Sequence, residues 1–255
     1  MKKILSLMTM LAVCFAAVQV KAQSYNYDVN GDGAVTVADV TAIYDYLLGN
    51  VPSESHEYID LGLPSGTLWA TMNIGASSPE DFGDYFAWGE TEPKDVYDWS
   101  TYKWCEGNYN TMTKYCTNGD YGYNGFVDNK TELDPADDAA TAAWGAGWRM
   151  PSFDQIQELL NNCTTEWTTR NGVTGRLFTS NINGASLFLP AAGYHWNSEL
   201  NYAGSYGFYW SRTLDSSRPY LAYGLIFYSG NVDWNYYSRS RGQSVRAVRV
   251  SQHLP

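Results

Sequence analysis

The sequence predicts an α+β protein in which a small calcium loop-helix module precedes a large domain of short strands. Three observations carry that prediction. Residues 28–39 alternate oxygen-bearing side chains around a central glycine. Beyond residue 57, short runs alternate apolar and polar residues with period two, as half-buried strands require. Only two stretches of that region carry helix signals, and short strands around two helices make an α+β domain rather than a doubly wound or barrel fold.

Residues 1–22 have the three parts of a cleavable export signal. Lys2 and Lys3 form the positive start, Ile4 to Val20 is mostly apolar, and Val20-Lys21-Ala22 supplies small residues for cleavage after Ala22. Cys14, after Leu11-Ala12-Val13, offers a rival start as a lipid-attached cysteine. Ser6, Thr9 and Gln19 interrupt the apolar stretch, which falls short of the roughly 20 apolar residues of a membrane span. The expected location is therefore secreted or on the outer cell surface.

Charge narrows the partners. The chain carries a net charge of −11, and losing Lys2, Lys3 and Lys21 with the signal takes this three units lower, to −14. No excess of Lys and Arg is available to neutralise phosphates, so nucleic acid and anionic lipid are excluded as partners. Past the signal lie three cysteines, Cys105, Cys116 and Cys163. Export permits a disulfide, and Cys105 with Cys116 would close a short loop, leaving Cys163 free and buried. No CxxC and no Cys/His cluster points to zinc.

The first module is read from Asp28-Val-Asn-Gly-Asp-Gly-Ala-Val-Thr-Val-Ala-Asp39. A calcium loop needs oxygen ligands at positions 1, 3, 5, 7, 9 and 12, with glycine at 6 for the turn. Asp28, Asn30 and Asp32 fill the first three, Gly33 turns the chain, Ala34 offers its carbonyl, Thr36 a hydroxyl or a water, and Asp39 closes the loop. An ordinary EF-hand has a bidentate Glu where this chain has Asp39. Val40, Ile43, Tyr44, Leu47 and Leu48 then form the apolar stripe of a helix that Gly49 caps. Loop and helix together resemble one half of a dockerin type I module. The resemblance implies structural Ca2+ and a cohesin-like scaffold as partner, often in polysaccharide-degrading assemblies. Only one repeat is present, so it has no twin to bury its stripe. Three readings follow: a calcium-stiffened spacer on the main domain, docking to a scaffold, or another partner.

Residues 50–56 read as a polar linker carrying Pro52, and residues 57–250 as the large domain. Its best helix starts at Ser152, where Ser152 and Gln155 make a capping box and Ile156, Leu159 and Leu160 line one face. A second helix is expected from Asp134, with Pro135 at the first helical position and Ala-rich sequence after it. Leu221, Tyr223, Leu225 and Phe227 alternate onto one side of a strand, and Leu187 with Leu189 onto one side of another.

Several phrases of this domain resemble a known family. They are Glu57-Tyr-Ile-Asp-Leu-Gly-Leu-Pro-Ser-Gly-Thr-Leu-Trp-Ala70, Gly83-Asp-Tyr-Phe-Ala-Trp-Gly-Glu90, Trp148-Arg-Met-Pro151, Phe188-Leu-Pro-Ala-Ala-Gly-Tyr194, Gly207-Phe-Tyr-Trp-Ser211 and Gly242-Gln-Ser-Val-Arg246. Together they resemble the Fibrobacter succinogenes major paralogous domain, with Ala247 departing from the proline usual after the arginine. The resemblance implies a C-type-lectin-like scaffold of the kind shared with formylglycine-generating enzymes: a twisted mixed sheet, two helices and long loops. It also implies an exposed binding face near the C-terminus, which in some lectin-like relatives is diversified at adenines, favouring Asn, Tyr, Ser and Asp.

The residues support such a face independently. Nine of the 21 tyrosines lie between Tyr194 and Tyr237, among Asn, Ser, Gly and Arg. That is a paratope-like composition, rigid amphipathic rings beside small adaptable polar groups, and it suits a glycan or cell-surface protein. The expected contacts are Trp196, Asn197, Tyr228, Asn231, Asp233, Trp234, Asn235, Tyr236, Tyr237 and Arg239. Tyr209, Trp210, Tyr223 and Phe227 are expected in the core. Arg246 and Arg249 are expected to pair with buried carboxylates, and His195 to be a surface residue. Six arginines against three acids between Tyr194 and Val250 predict a mildly basic face.

Catalysis is not expected. There is no Gly-x-Ser-x-Gly, no His-Glu-x-x-His and no phosphate loop, and the three histidines fall in the linker, a loop and the tail. Asp84, Glu90, Asp98, Asp137 and Asp138 could supply a carboxylate pair, but nothing in their spacing aligns them. The composition points to a binding module, with a scaffold-docked component or a structural adhesin as the alternatives.

Overall fold

The computed structural model describes residues 56–250, apart from the Val250 side chain. The export signal, the loop with Asp28, Asn30, Asp32, Ala34, Thr36 and Asp39, its helix, and the linker as far as residue 55 lie outside the described residues. Within them the fold is mixed α+β, mostly strands, in four sheets with two α-helices. The strands are β1 (Tyr58–Asp60), β2 (Thr67–Asn73), β3 (Tyr85–Phe86), β4 (Cys163–Arg170), β5 (Val173–Ser180), β6 (Ser186–Pro190), β7 (Tyr194–Trp196), β8 (Glu199–Asn201), β9 (Tyr206–Leu214), β10 (Leu221–Tyr228), β11 (Asn231–Ser238), β12 (Gln243–Ser244) and β13 (Arg246–Val250). The helices are α1 (Ala139–Trp144) and α2 (Phe153–Asn162).

The largest sheet has the order β11-β10-β9-β12-β3 and is mixed, because β12 runs parallel to β9 while its other pairings are antiparallel. A second sheet, β1-β2-β13, brings the start of the domain beside its end. The β4-β5-β6 meander and the β7-β8 hairpin complete the set. Long irregular segments separate β3 from α1.

The helix at Ser152 forms as its sequence requires. Gln155 N–H donates to the Ser152 hydroxyl (3.1 Å), and Ser152 N–H donates to the Gln155 side-chain oxygen (2.8 Å). Ile156 and Leu159 are buried against Leu187, Leu189, Leu225 and Phe227. Tyr223 continues that side of β10, its ring stacked on Phe153 at 4.3 Å.

The second helix starts later than expected. Residues Pro135–Asp137 form a 3-10 turn, and α1 begins after Asp138. The Asp138 carboxylate, fully buried, accepts from the N–H groups of Ala140 and Thr141 (both 3.0 Å) and from Met150 N–H (3.0 and 3.1 Å). A cap shared with a residue twelve positions on cannot be read from local pattern. Burial pushes the Asp138 carboxyl above its usual range, opposed by these backbone donors.

The family-like phrases meet in the interior. Trp88 Nε1 donates to the Ser211 carbonyl and Trp210 Nε1 to the Phe86 carbonyl, each at 2.8 Å, a reciprocal pair across the sheet. Gly207 is required where it stands, because a Cβ there would run into the Phe227 ring. Arg246 is buried, and its partners are the Asn73 side chain (2.8 Å) and the carbonyls of Ala70 (3.1 Å) and Thr71 (2.5 Å). The expected buried carboxylate is replaced by backbone, and burial brings the guanidinium down to about 10. Arg249 lies over the rings of Tyr58 and Trp148 instead of a carboxylate.

The expected disulfide is also corrected. Cys105 and Cys116 are separate free thiols. Each turns its sulfur to a nearby carbonyl, Cys105 to Trp99 (3.2 Å) and Cys116 to Asn118 (3.1 Å). Cys163 is free and buried as expected, its thiol raised to about 11 by burial. Among the described residues no helix is long and apolar enough to cross a membrane.

Candidate ligand-binding surface

Strand β11 is an edge. It pairs with β10 on one side only, in register from Tyr228↔Asn231 to Leu221↔Ser238. Successive side chains of a strand point to opposite faces, so the expected contact residues divide into two groups.

On the α2 side lie Trp234 and Tyr236. Trp234 meets Phe153 (4.9 Å, 79°) and Tyr223 (5.8 Å, 71°) edge to face, and 38% of it stays exposed. Tyr236 carries the Arg218 guanidinium over its ring at 3.8 Å. Arg218 is in turn held by Asp215 through Nε (3.0 Å) and Nη2 (2.7 Å).

Across the sheet lie Asn231, Asp233, Asn235 and Tyr237, opposite Tyr228, Ile226, Gly224 and Ala222. Strand β9 adds Tyr206 beside Tyr228 and Phe208 beside Ile226. Tyr202 packs on Tyr206 (5.1 Å), Tyr206 on Tyr228 (5.0 Å) and Tyr194 on Phe208 (5.0 Å), making a continuous aromatic platform. Tyr202 is its most open member, at 58% exposure. Arg241 lies over Tyr194 (4.8 Å) and Trp196 (5.4 Å), which joins Trp196 to the same platform. Tyr237 is half-buried against Phe208 and Trp210 and serves mainly as packing.

Two expected contacts have other roles: Asn197 stays exposed but its backbone is a turn anchor, and Arg239 leaves the surface. Asn197 shapes the β7-β8 turn, with φ of 53°, and its backbone exchanges hydrogen bonds with Tyr97 (2.8 and 3.0 Å). Arg239 is wholly buried. Its guanidinium donates to the Tyr102 hydroxyl (2.8 Å) and to the carbonyls of Tyr115 (3.0 Å), Pro219 (2.7 Å) and Lys114 (3.0 Å), beneath the ring of Trp88 at 4.8 Å. A side chain so enclosed cannot touch an external ligand.

The basic face does not form either. Arg239 and Arg246 are interior, Arg212 pairs with Glu132 (3.0 Å), and Arg218 with Asp215. His195 is half-buried between the rings of Tyr85 (4.6 Å) and Tyr97 (5.4 Å), and burial lowers its pKa. Among the carboxylates considered for catalysis, Glu90 pairs with Lys94 (2.9 Å), Asp137 is buried with Lys114 and the Tyr115 hydroxyl (2.5 Å each), and Asp138 is the α1 cap. No group of three or more His, Cys, Asp or Glu among the described residues could hold a metal.

The free edge of β11 has a further property. Trp234 N–H donates to the side chain of Asp233 (2.8 Å) and Tyr236 N–H to that of Asn235 (2.9 Å). These alternate donors face away from β10, where an incoming strand would otherwise use them. Tyr194, Tyr202, Tyr206 and Arg241 were not singled out from the sequence, although the tyrosine-rich composition from Tyr194 onward was their signal.

Residues 26–62 match the dockerin type I domain, a span that contains the whole 28–39 loop and all six of its expected ligands. Residues 165–248 match a domain of unknown function, DUF8237. That span runs from β4 into β13 and holds both faces of the β9-β10-β11 surface. No curated protein and no solved structure matches the chain.

Proposed function

We propose that this chain is a non-catalytic component of an extracellular, cellulosome-type assembly, held through its N-terminal calcium repeat and carrying a lectin-like binding domain. The dockerin type I match over residues 26–62 is the observation that carries the reading. In that role Asp28, Asn30, Asp32, Thr36, Asp39 and the Ala34 carbonyl would hold Ca2+, a hard cation suited to an all-oxygen donor set. A bound Ca2+ would offset two of the three carboxylate charges and would order the loop. The apolar stripe of Val40, Ile43, Tyr44, Leu47 and Leu48, which no twin repeat covers, is then the surface offered to a cohesin.

The large domain is the cargo. A mixed sheet, two helices and long loops suit the lectin-like scaffold implied by its sequence phrases. Its rings and amides around β11 suit a glycan or a cell-surface protein. The reading is tested by titrating the exported full chain with a cohesin module. A complex that forms with calcium, dissociates with chelator and fails in Asp28→Ala/Asp32→Ala supports docking. No complex in calcium, or one indifferent to chelator, overturns it.

A further inference from the structure

A cleft of about 300 Å³ opens between α2, β4 and β11, on the Trp234 side of the sheet. That volume sits at the small end of small-molecule sites, about 300–1,000 Å³. Gln157 and Asn161, four apart on α2 and therefore on one face, form one wall. Thr165 forms a second, Asp233 and Trp234 a third, and Leu160 contributes apolar floor.

The polar groups of this cleft are open to a ligand. Among the described residues the amides of Gln157 and Asn161 make no hydrogen bond, whereas the neighbouring Asn162 amide turns back to the Glu158 carbonyl (2.8 Å). Asp233 starts on the opposite face, but its carboxylate turns to the free edge of β11. There one oxygen accepts from Trp234 N–H, and the other is left as an acceptor at the cleft rim. The Thr165 hydroxyl oxygen accepts twice from Arg176 (2.9 and 3.1 Å), so its own proton remains to be donated. Arg176 also donates to the Tyr228 carbonyl (3.0 Å), bracing the β4 wall against the β10-β11 turn.

We infer that this cleft takes one or two rings of a neutral sugar. A pyranose has an apolar C–H face, which packs on the electron-rich face of an indole, and a rim of hydroxyls that donate and accept. The cleft supplies the indole and both kinds of polar partner. No Lys or Arg lines it, and its one charged group, Asp233, would repel an anionic sugar. The inference rests on reading the large domain as a binding domain, and places the ligand across the sheet from the tyrosine platform.

The test is calorimetry on the full chain with cellohexaose, xylohexaose and mannohexaose, and with hexagalacturonate as the acidic counterpart. At least one neutral oligomer should bind with a Kd of about 10 µM to 1 mM, as a ligand touching through a few rings allows. Trp234→Ala should weaken it at least about tenfold, Gln157→Ala severalfold, and the platform variant Tyr202→Ala not at all. Gln157→Ala keeps the test decisive if Trp234→Ala fails to fold. Binding by none of the neutral oligomers, preference for the acidic one, or loss in Tyr202→Ala with retention in Trp234→Ala or Gln157→Ala would overturn the inference. None of these outcomes touches cohesin capture, so the two readings fail separately.

Discussion

Ser238 and Arg239 are neighbours in the chain, yet they belong to different regions. Before them runs β11, an edge strand with Trp234, Tyr236, Asp233 and Asn235 exposed. After them the chain enters the interior, where Arg239 is enclosed by Trp88, Tyr102 and Tyr115. Both regions are built from Trp, Tyr and Arg. Around Arg239 the polar tips have internal partners: the Trp88 indole on Ser211, the Tyr102 hydroxyl on the Trp88 carbonyl (2.6 Å), the Arg239 fork on three carbonyls. On β11 the rings stand open and two amides in the adjacent cleft have no internal partner. Residue type therefore says little about role here; what separates framework from binding surface is whether the packing encloses an aromatic or cationic side chain or leaves it open.

The sharpest way to break this comparison is one substitution in each region. Arg239→Ala removes a buried cation and orphans several carbonyls and a hydroxyl, so urea unfolding should register a loss of about 3–5 kcal/mol. Tyr236→Ala, on the open strand, should cost no more than about 1 kcal/mol, the loss of its exposed contact with Arg218. Equal effects would mean that β11 is framework.

Alkaline titration sharpens the same contrast. Tyr97 and Tyr209 are both raised to about 12, chiefly by burial. Their phenols stay neutral in the folded chain while the unfolded chain ionises them from near their ordinary 10. The stability they contribute is full below pH 10 and is lost as pH rises through 12. Tyrosinate absorbance should accordingly show a late step that coincides with loss of near-ultraviolet dichroism, and a late step without unfolding would contradict their burial.

The smallest effect concerns the edge itself. Asp233→Ala/Asn235→Ala uncaps two outward N–H groups beside exposed rings, which removes a barrier to strand addition. Light scattering should show concentration-dependent self-association in the variant beyond that of the parent chain. An unchanged mass across concentrations would mean that the caps do not protect the edge.

Much of this was legible in the residues. The α2 cap needs only Ser152 and Gln155, three apart, and the side of β10 facing α2 follows from period two at Tyr223, Leu225 and Phe227. The oxygen pattern of residues 28–39 likewise names its own chemistry. These are local rules, satisfied within one turn or one strand. The start of α1 was not legible, because Asp138 is recruited by Met150 N–H as well as by its own helix.

Tertiary structure alone decided the rest. It split Trp234 from Asn235 onto opposite faces, withdrew Arg239 from the surface, and gave Arg246 backbone carbonyls in place of a carboxylate. It also brought Gln157, Asn161 and Thr165 beside Trp234, a meeting that no local pattern announces. The physical reason is common to all of these. Sequence determines which groups can form hydrogen bonds or bury apolar area, and where neighbours share a face. Which of those groups is enclosed depends on chain segments dozens of residues away, and enclosure is what removes a side chain from contact with a ligand.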